Sequence, residues 1–241
     1  MITRNEILEQ PQKHGILSRR YRSLSRPLVD FIGKSGPASI DFVGCGTSYF
    51  LAMGCAKQLE RLSKGRIRSS YYSGSEIMLG LAGPSEGDLL IGLSRSGTST
   101  ETLLALEKAH RDGVRTAALT CQPGSKMIEM ADLPVVLDFI EETAIVMTKS
   151  FTSMAFFVSA LARELFAPGS LDDYLNNIPA SSRATLDDSL NCLETFAIAD
   201  LDHFVFLGYA EYFAASMPIG SFRHSTMPTT YFFASGPRCW W

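Results

Sequence analysis

Five short runs rich in Ile, Val, Leu, Phe and Tyr, ASIDFVG (38–44), RIRSSYY (66–72), DLLIGLS (88–94), RTAALT (115–120) and LPVVLDF (133–139), are separated by segments of helical length. This alternation constrains the fold more than any other feature of the chain. A strand, a helix and a second strand lying side by side form a right-handed crossover, and repeated crossovers give a parallel sheet with helices on both faces. The spacing predicts helices over 48–63, 74–82, 98–112 and 124–131, and a long apolar helix from about Ala144 to Phe166. The expected fold is therefore a doubly wound α/β sheet of five parallel strands, flavodoxin-like in its order. Ligands of such sheets bind at the carboxyl ends of the strands, where the strand order reverses.

Flanking this unit, residues 4–31 carry Ile7, Leu8, Ile16, Leu17, Tyr21, Leu24, Leu28 and Phe31 at mixed helical spacing, broken by Pro11 and Pro27. A helical arm in two or three pieces is expected there. APGSLDD (167–173) has the composition of a linker. Beyond it come a helix over 171–199, a strand over 202–208 (DHFVFLG) and the opening of another helix in GYAEYFAAS. The last stretch, MPIGSFRHSTMPTTYFFASGPRCWW, has three prolines and no clear period. It reads either as a truncated or frame-shifted product or as an irregular tail packed on a partner. The expected division is an arm over 1–35, a first domain over 36–168, and a linker helix with an incomplete second α/β domain over 169–241.

Composition narrows the function classes. A formal net charge of −3 over 241 residues leaves no basic footprint for nucleic acid or an anionic membrane. The N-terminus lacks the apolar core of a signal peptide, and no apolar run approaches the roughly 20 residues of a spanning helix. A cytoplasmic protein is expected. Its five cysteines, with no C-x-x-C pair, signal neither a zinc site nor a disulfide framework. Cys45 and Cys121 read as small buried residues at strand ends.

Two turns carry the chemical signal. The first apolar run ends in FVGCGTSYFLA, where Gly44 and Gly46 free the backbone and Thr47 and Ser48 stand where helix-capping hydroxyls are expected. The third run ends in GLSRSGTSTETL, with Ser94 closing the strand, Arg95 and Ser96 in the turn, Gly97 after them, and Ser99 to Thr102 opening the helix. Free amides, a helix dipole and hydroxyls together suit an oxyanion, phosphate above all. One such turn is as well explained by capping alone, but two at one sheet edge can converge on a single ligand. The spacing is not G-x-G-x-x-G, and G-K-[ST] is absent, so neither a dinucleotide nor nucleotide hydrolysis is indicated. No metal and no cofactor are expected.

A third stretch, EETAIVMTKSFTSM (141–154), sets Glu141 and Glu142 before the long helix and Thr148, Lys149, Ser150 and Thr152 inside it. The carboxylates can favour the helix dipole and the hydroxyls can fill a helix seam. Alternatively, they meet a ligand.

With these residues in view, the chain resembles the sugar isomerase (SIS) phosphosugar-binding domains. The resemblance is to their double-domain class, which includes the isomerase half of glucosamine-6-phosphate synthase and tagatose-6-phosphate ketose/aldose isomerase. The matching stretches are 42–52, 92–103, 141–154 and 202–213. The resemblance implies a sugar phosphate held by Ser94, Arg95, Ser96 and Ser99, with Thr47 and Ser48 near the sugar, Glu142 and Thr148 lining the cleft, and a homodimer. Arg95 stands where glucosamine-6-phosphate synthase has Gln. Burial needs of the apolar arm and of the YFF and WW clusters hint independently at a partner copy.

Catalytic members of the family place a proton-shuttling Glu, a ring-opening His and a C-terminal Lys in the second domain. Here no A-L-K-x-x-E segment follows Phe213, and S-F-R-H (221–224) and S-G-P (235–237) stand apart. His224 is the candidate ring-opening acid/base, since imidazole titrates near neutrality; the alternative is an exposed tail histidine. Glu142 is the other catalytic candidate. His14, His110 and His203 read as structural. The activity implied is aldose–ketose isomerisation or deamination of a hexose or amino-sugar 6-phosphate through an enediol-type intermediate. A phosphosugar-binding module without catalysis, or an inactive truncated copy, is the alternative.

Overall fold

The computed structural model describes residues 2–194, 203–209 and 229–235. Five strands, β1 (Ile40–Gly44), β2 (Tyr71–Ser73), β3 (Leu89–Ser94), β4 (Arg115–Thr120) and β5 (Leu133–Val136), form one sheet in the order β2-β1-β3-β4-β5. Every pair in it is parallel, with Val43 opposite Gly92 and Ser94 opposite Thr120. The order reverses between β1 and β3, so the crevice of this sheet opens above Gly44 and Ser94.

Alternation along the strands assigns the two faces. Ile40, Phe42, Leu89, Ile91, Leu93, Ala117 and Leu119 belong to one buried cluster, with α2 (Thr47–Ser63), α6 (Lys149–Phe166), α1 (Ile2–Ser35) and α7 (Leu171–Glu194). Val43, Leu90 and Ala118 belong to another, with α3 (Gly74–Met78), α4 (Thr100–Arg111) and α5 (Lys126–Met130). A sheet covered on both sides needs nearly continuous apolar strands, which is why the runs read so clearly. Helix α6 is buried almost all round, from Phe156 through Ala162, because α1 and α2 both pack against it.

Three local expectations change. The arm is one helix rather than two or three, with Pro11 and Pro27 inside it. An interior proline costs about 3 kcal/mol, but Pro11, His14, Leu17, Tyr21, Ser25, Leu28 and Ile32 form an unbroken buried stripe against α6 and α7. That stripe also removes the sequence hint that the arm needs a partner copy, since the arm is buried by its own chain. Helix α6 starts at Lys149, not near Ala144. Finally, Thr229–Ser235 of the expected irregular tail is a strand, β7, paired in parallel with β6 (His203–Tyr209) from His203↔Thr229 to Tyr209↔Ser235. Its β-branched and aromatic residues suit a pleated surface. The helix expected after Tyr209 lies outside the described residues.

His14 shows what the arm's packing does to a titrating group. It is buried on α1 between Ser182 Oγ (2.8 Å from Nδ1) and Thr152 Oγ1 (3.1 Å from Nε2), and the Thr152 hydroxyl donates onward to Gln10 Oε1 at 2.8 Å. Burial pulls its pKa down to about 4. Unfolded, the imidazole titrates near about 6.5, so the unfolded chain gains a proton that the folded chain refuses. Stability is therefore full above that pH and falls toward about pH 4, by up to about 3 kcal/mol. In urea unfolding, wild type is expected to lose its stability advantage over His14→Gln between about pH 7.5 and about pH 4.5. A constant difference would contradict this.

Candidate functional site

The carboxyl ends of β1 and β3 are neighbours, so the two hydroxyl-rich turns leave the sheet side by side. After β1, Gly46 is the residue before α2, with φ +55°, and Thr47 and Ser48 lie in the first helical turn rather than at its cap. Gly44 is required by close approach: a Cβ there would sit 2.4 Å from the Ser48 carbonyl oxygen. Helix α2 thus starts directly against the strand end. Ser48 is buried, and its hydroxyl donates to Met147 Sδ at 3.7 Å. Thr47 and Cys45 are half-buried at the same edge, whereas Cys121 is buried as expected.

The turn after β3 is built by its own hydroxyls. Ser94, buried at the strand end, accepts from the Gly97 amide at 3.1 Å and pairs with Ser99 Oγ at 3.1 Å. Ser96 Oγ accepts from the Thr98 amide at 3.3 Å and pairs with Thr98 Oγ1 at 2.9 Å. Gly97 has φ +62°, and a Cβ on it would lie 2.2 Å from Ser125 Oγ and 3.0 Å from Thr120 Oγ1. From beneath, the Arg95 carbonyl accepts from Thr120 Oγ1 and the Cys121 amide, both at 3.1 Å, and the Gly97 carbonyl from the Met127 amide at 3.2 Å. Ser99 is the residue before α4 and makes no side-chain cap bond. The first amides of α4 have no acceptor within the helix and face this edge with the positive end of its dipole.

The 141–154 stretch closes over both turns. Among the described residues, Arg95 does not extend freely into the crevice; its Nη1 donates to the Ala144 carbonyl at 2.6 Å and lies 3.4 Å from Glu142 Oε2. Glu142 is fully buried at its side chain. Its Oε1 accepts from the Thr148 amide at 2.8 Å, the Thr148 hydroxyl at 2.9 Å and the Ser150 amide at 3.3 Å, and its Oε2 from the Ser150 hydroxyl. The carboxylate thus caps α6 from outside, satisfying amides at its start, and this is why the helix begins at Lys149. Thr148 is the residue before the helix, not inside it. Beneath Arg95, burial, reinforced by the Glu142 charge, pushes the Cys121 thiol up to about 12.

The structure therefore brings Thr47, Ser48, Ser94, Arg95, Ser96, Ser99, Glu142 and Thr148 to one sheet edge, through Ser48 to Met147 and Arg95 to Glu142 and Ala144. His224 lies outside the described residues. Sequence reasoning missed the underside of the turn, Thr120 and Ser125; the signal available was a Thr ending β4 in register with Ser94.

The SIS domain profile matches residues 35–163. The chain belongs to the SIS domain family. Glutamine–fructose-6-phosphate aminotransferase (isomerizing) of Zymomonas mobilis is 29% identical over 167 residues, covering 66% of this chain and 27% of that protein. Among solved structures, glucosamine-6-phosphate deaminase of Thermotoga maritima superposes with a TM-score of 0.71 at 29% identity, over 88% of this chain and 64% of that one. Tagatose-6-phosphate ketose/aldose isomerase of Escherichia coli gives a TM-score of 0.74 at 21% identity, over 97% of this chain and 67% of that one, a likeness of fold. The match to the curated relative thus spans under a third of its length. The SIS profile covers all five strands and both hydroxyl turns, and ends within α6.

Proposed function

We propose that this SIS protein binds a hexose or amino-sugar 6-phosphate in the crevice between β1 and β3, and that it isomerises or deaminates that sugar through an enediol-type intermediate. The observation that carries the reading is the meeting of three stretches, 47–48, 94–99 and 142–148, at the switch point of the sheet. The relatives' names, a fructose-6-phosphate aminotransferase and a glucosamine-6-phosphate deaminase, point to the same ligand class. In this reading the phosphate lies against the Ser94–Ser99 turn and the first amides of α4, with Thr47 and Ser48 toward the sugar. Its charge is met by hydroxyl and amide donors, and its binding energy positions the remote reacting carbons. The chemistry needs no metal or redox cofactor, because a carboxylate can carry a proton between adjacent carbons while donors stabilise the oxyanion.

Glu142 is not assigned that proton transfer, since both its oxygens face donors of the protein itself. His224 remains the candidate for ring opening. The proposal further takes 36–168 as the first of two domains, with 1–35 as arm and 169–241 as linker helix and second domain, and the protein as a cytoplasmic homodimer with neither nucleic acid nor membrane as partner. Among the described residues no helix is long and apolar enough to cross a membrane. The occupied state of Glu142 favours, as second reading, a phosphosugar-binding module without catalysis.

Titration with fructose 6-phosphate and with fructose tests binding: heat of association is expected for the phosphate ester alone. Equal response to both, or none to either, would contradict the proposal. Incubation with fructose 6-phosphate in deuterated water then separates enzyme from binder, because only enediol formation lets solvent deuterium replace a hydrogen at C1 or C2.

A further inference from the structure

Arg95 carries the only charge in the hydroxyl turn of residues 94–99. Its Nη1 is tied to the Ala144 carbonyl at 2.6 Å, beside the Ile145 carbonyl at 3.5 Å and Glu142 Oε2 at 3.4 Å. Its carbonyl is held by Thr120 and Cys121. The guanidinium thus braces the turn against the β5–α6 connection. That connection is in turn fixed from the other side: Glu6 of α1 accepts from the Thr143 amide at 2.7 Å and the Ala144 amide at 3.3 Å. Glu6 also lies 3.9 Å from the buried Lys149 ammonium, which donates to Glu9 at 2.6 Å. Ala144 is consequently held by its amide to α1 and by its carbonyl to Arg95.

Glu142 is the hub of this brace. It touches Arg95, both ends of the Thr148–Ser150 helix start, and nothing exposed. Resting on the ligand reading above, we propose that Glu142 is a positioning residue of the phosphate turn, acting through Arg95 rather than on the sugar. Its carboxylate and the Ala144 carbonyl hold the guanidinium in one place, and the guanidinium holds Ser94 to Ser99 in the geometry that presents donors to the phosphate. The Glu142 carboxylate is shielded from water, so removing the Arg95 guanidinium leaves it short of a partner and removing the carboxylate frees the guanidinium; losing either member releases the turn.

The test is a double-mutant cycle with Glu142→Gln, which keeps the shape and one acceptor, and Arg95→Met, read by calorimetry with fructose 6-phosphate and by hydrogen exchange of the Gly97 amide. Each single variant is expected to weaken binding about tenfold, and the double variant to be no weaker than Arg95→Met alone. Gly97 exchange is expected to speed up in both single variants while amides in the middle of α6 stay protected. Effects that multiply in the double variant, or affinities equal to wild type, would overturn the proposal. If wild type itself does not bind, the ligand reading fails, and the exchange data alone decide the positioning role: unchanged Gly97 protection overturns it. Should Glu142→Gln fail to fold, Arg95→Met, at a partly exposed position, carries the exchange test by itself, with Arg95→Lys expected to restore protection in part.

Discussion

Gly97→Ala is expected to destabilise the chain by about 3 kcal/mol and to abolish binding of a sugar phosphate. The estimate has two parts: about 1 kcal/mol for a β-carbon forced into the left-handed region, and about 2 kcal/mol for overpacking. The second part follows from position. The new methyl would overlap the Ser125 side chain, at 2.2 Å from Oγ and 2.6 Å from Cβ, and Ser125 is itself buried. Either Ser125 or the turn must move, and a moving turn loses the Ser94 bond to the Gly97 amide. Urea unfolding gives the loss of stability, and calorimetry the loss of binding. A variant as stable as wild type would mean that the turn does not need this conformation.

Ser99→Asp is expected to separate binding from folding. Aspartate is a favoured residue before a helix, and its charge complements the dipole at the start of α4, so stability should hold or rise slightly. The same carboxylate would stand beside the proposed phosphate. Two like charges about 4 Å apart in a partly shielded site repel by about 4 kcal/mol, and allowing for solvent the affinity should drop at least about 100-fold. Thermal denaturation is expected to be unchanged while the heat of association disappears. Retained affinity would place the phosphate elsewhere.

The central strands β1, β3 and β4 were legible because both faces of the sheet are covered there; the half-buried edge strand β2 occupies Tyr71–Ser73 and shares only Tyr71 and Tyr72 with the expected run over 66–72. Phe42 and Val43, or Ile91 and Leu90, are apolar in succession, and only a doubly covered strand demands that. The hydroxyl turns were legible as well, since Gly44 and Gly97 sit where close approach or a positive φ excludes a side chain. The continuity of α1 was not, because Pro11 and Pro27 break it locally and only packing on α6 and α7 overrides them. The start of α6 was hidden for a similar reason. Its amides are capped by Glu142, six residues before Thr148, across a loop that no periodicity describes. The resemblance implies Arg95 as a phosphate contact; here its guanidinium donates to a backbone carbonyl 49 residues away, and a carbonyl has no sequence signature.

The place of the ligand is read by following backbone amide resonances during a titration with fructose 6-phosphate. Besides the crevice, the described residues line a mainly apolar open pocket of about 320 Å³ between α1, α2, α6 and α7, with His14, Phe50, Phe156 and Tyr174 among its walls. If the phosphate is held at the switch point of the sheet, the amides of Thr47 and Ser48, of Ser96 to Glu101 and of Thr148 shift with saturating, common affinity, and those around the pocket do not. Shifts confined to His14, Phe50 and Tyr174, or none at any of these positions, would contradict the assignment.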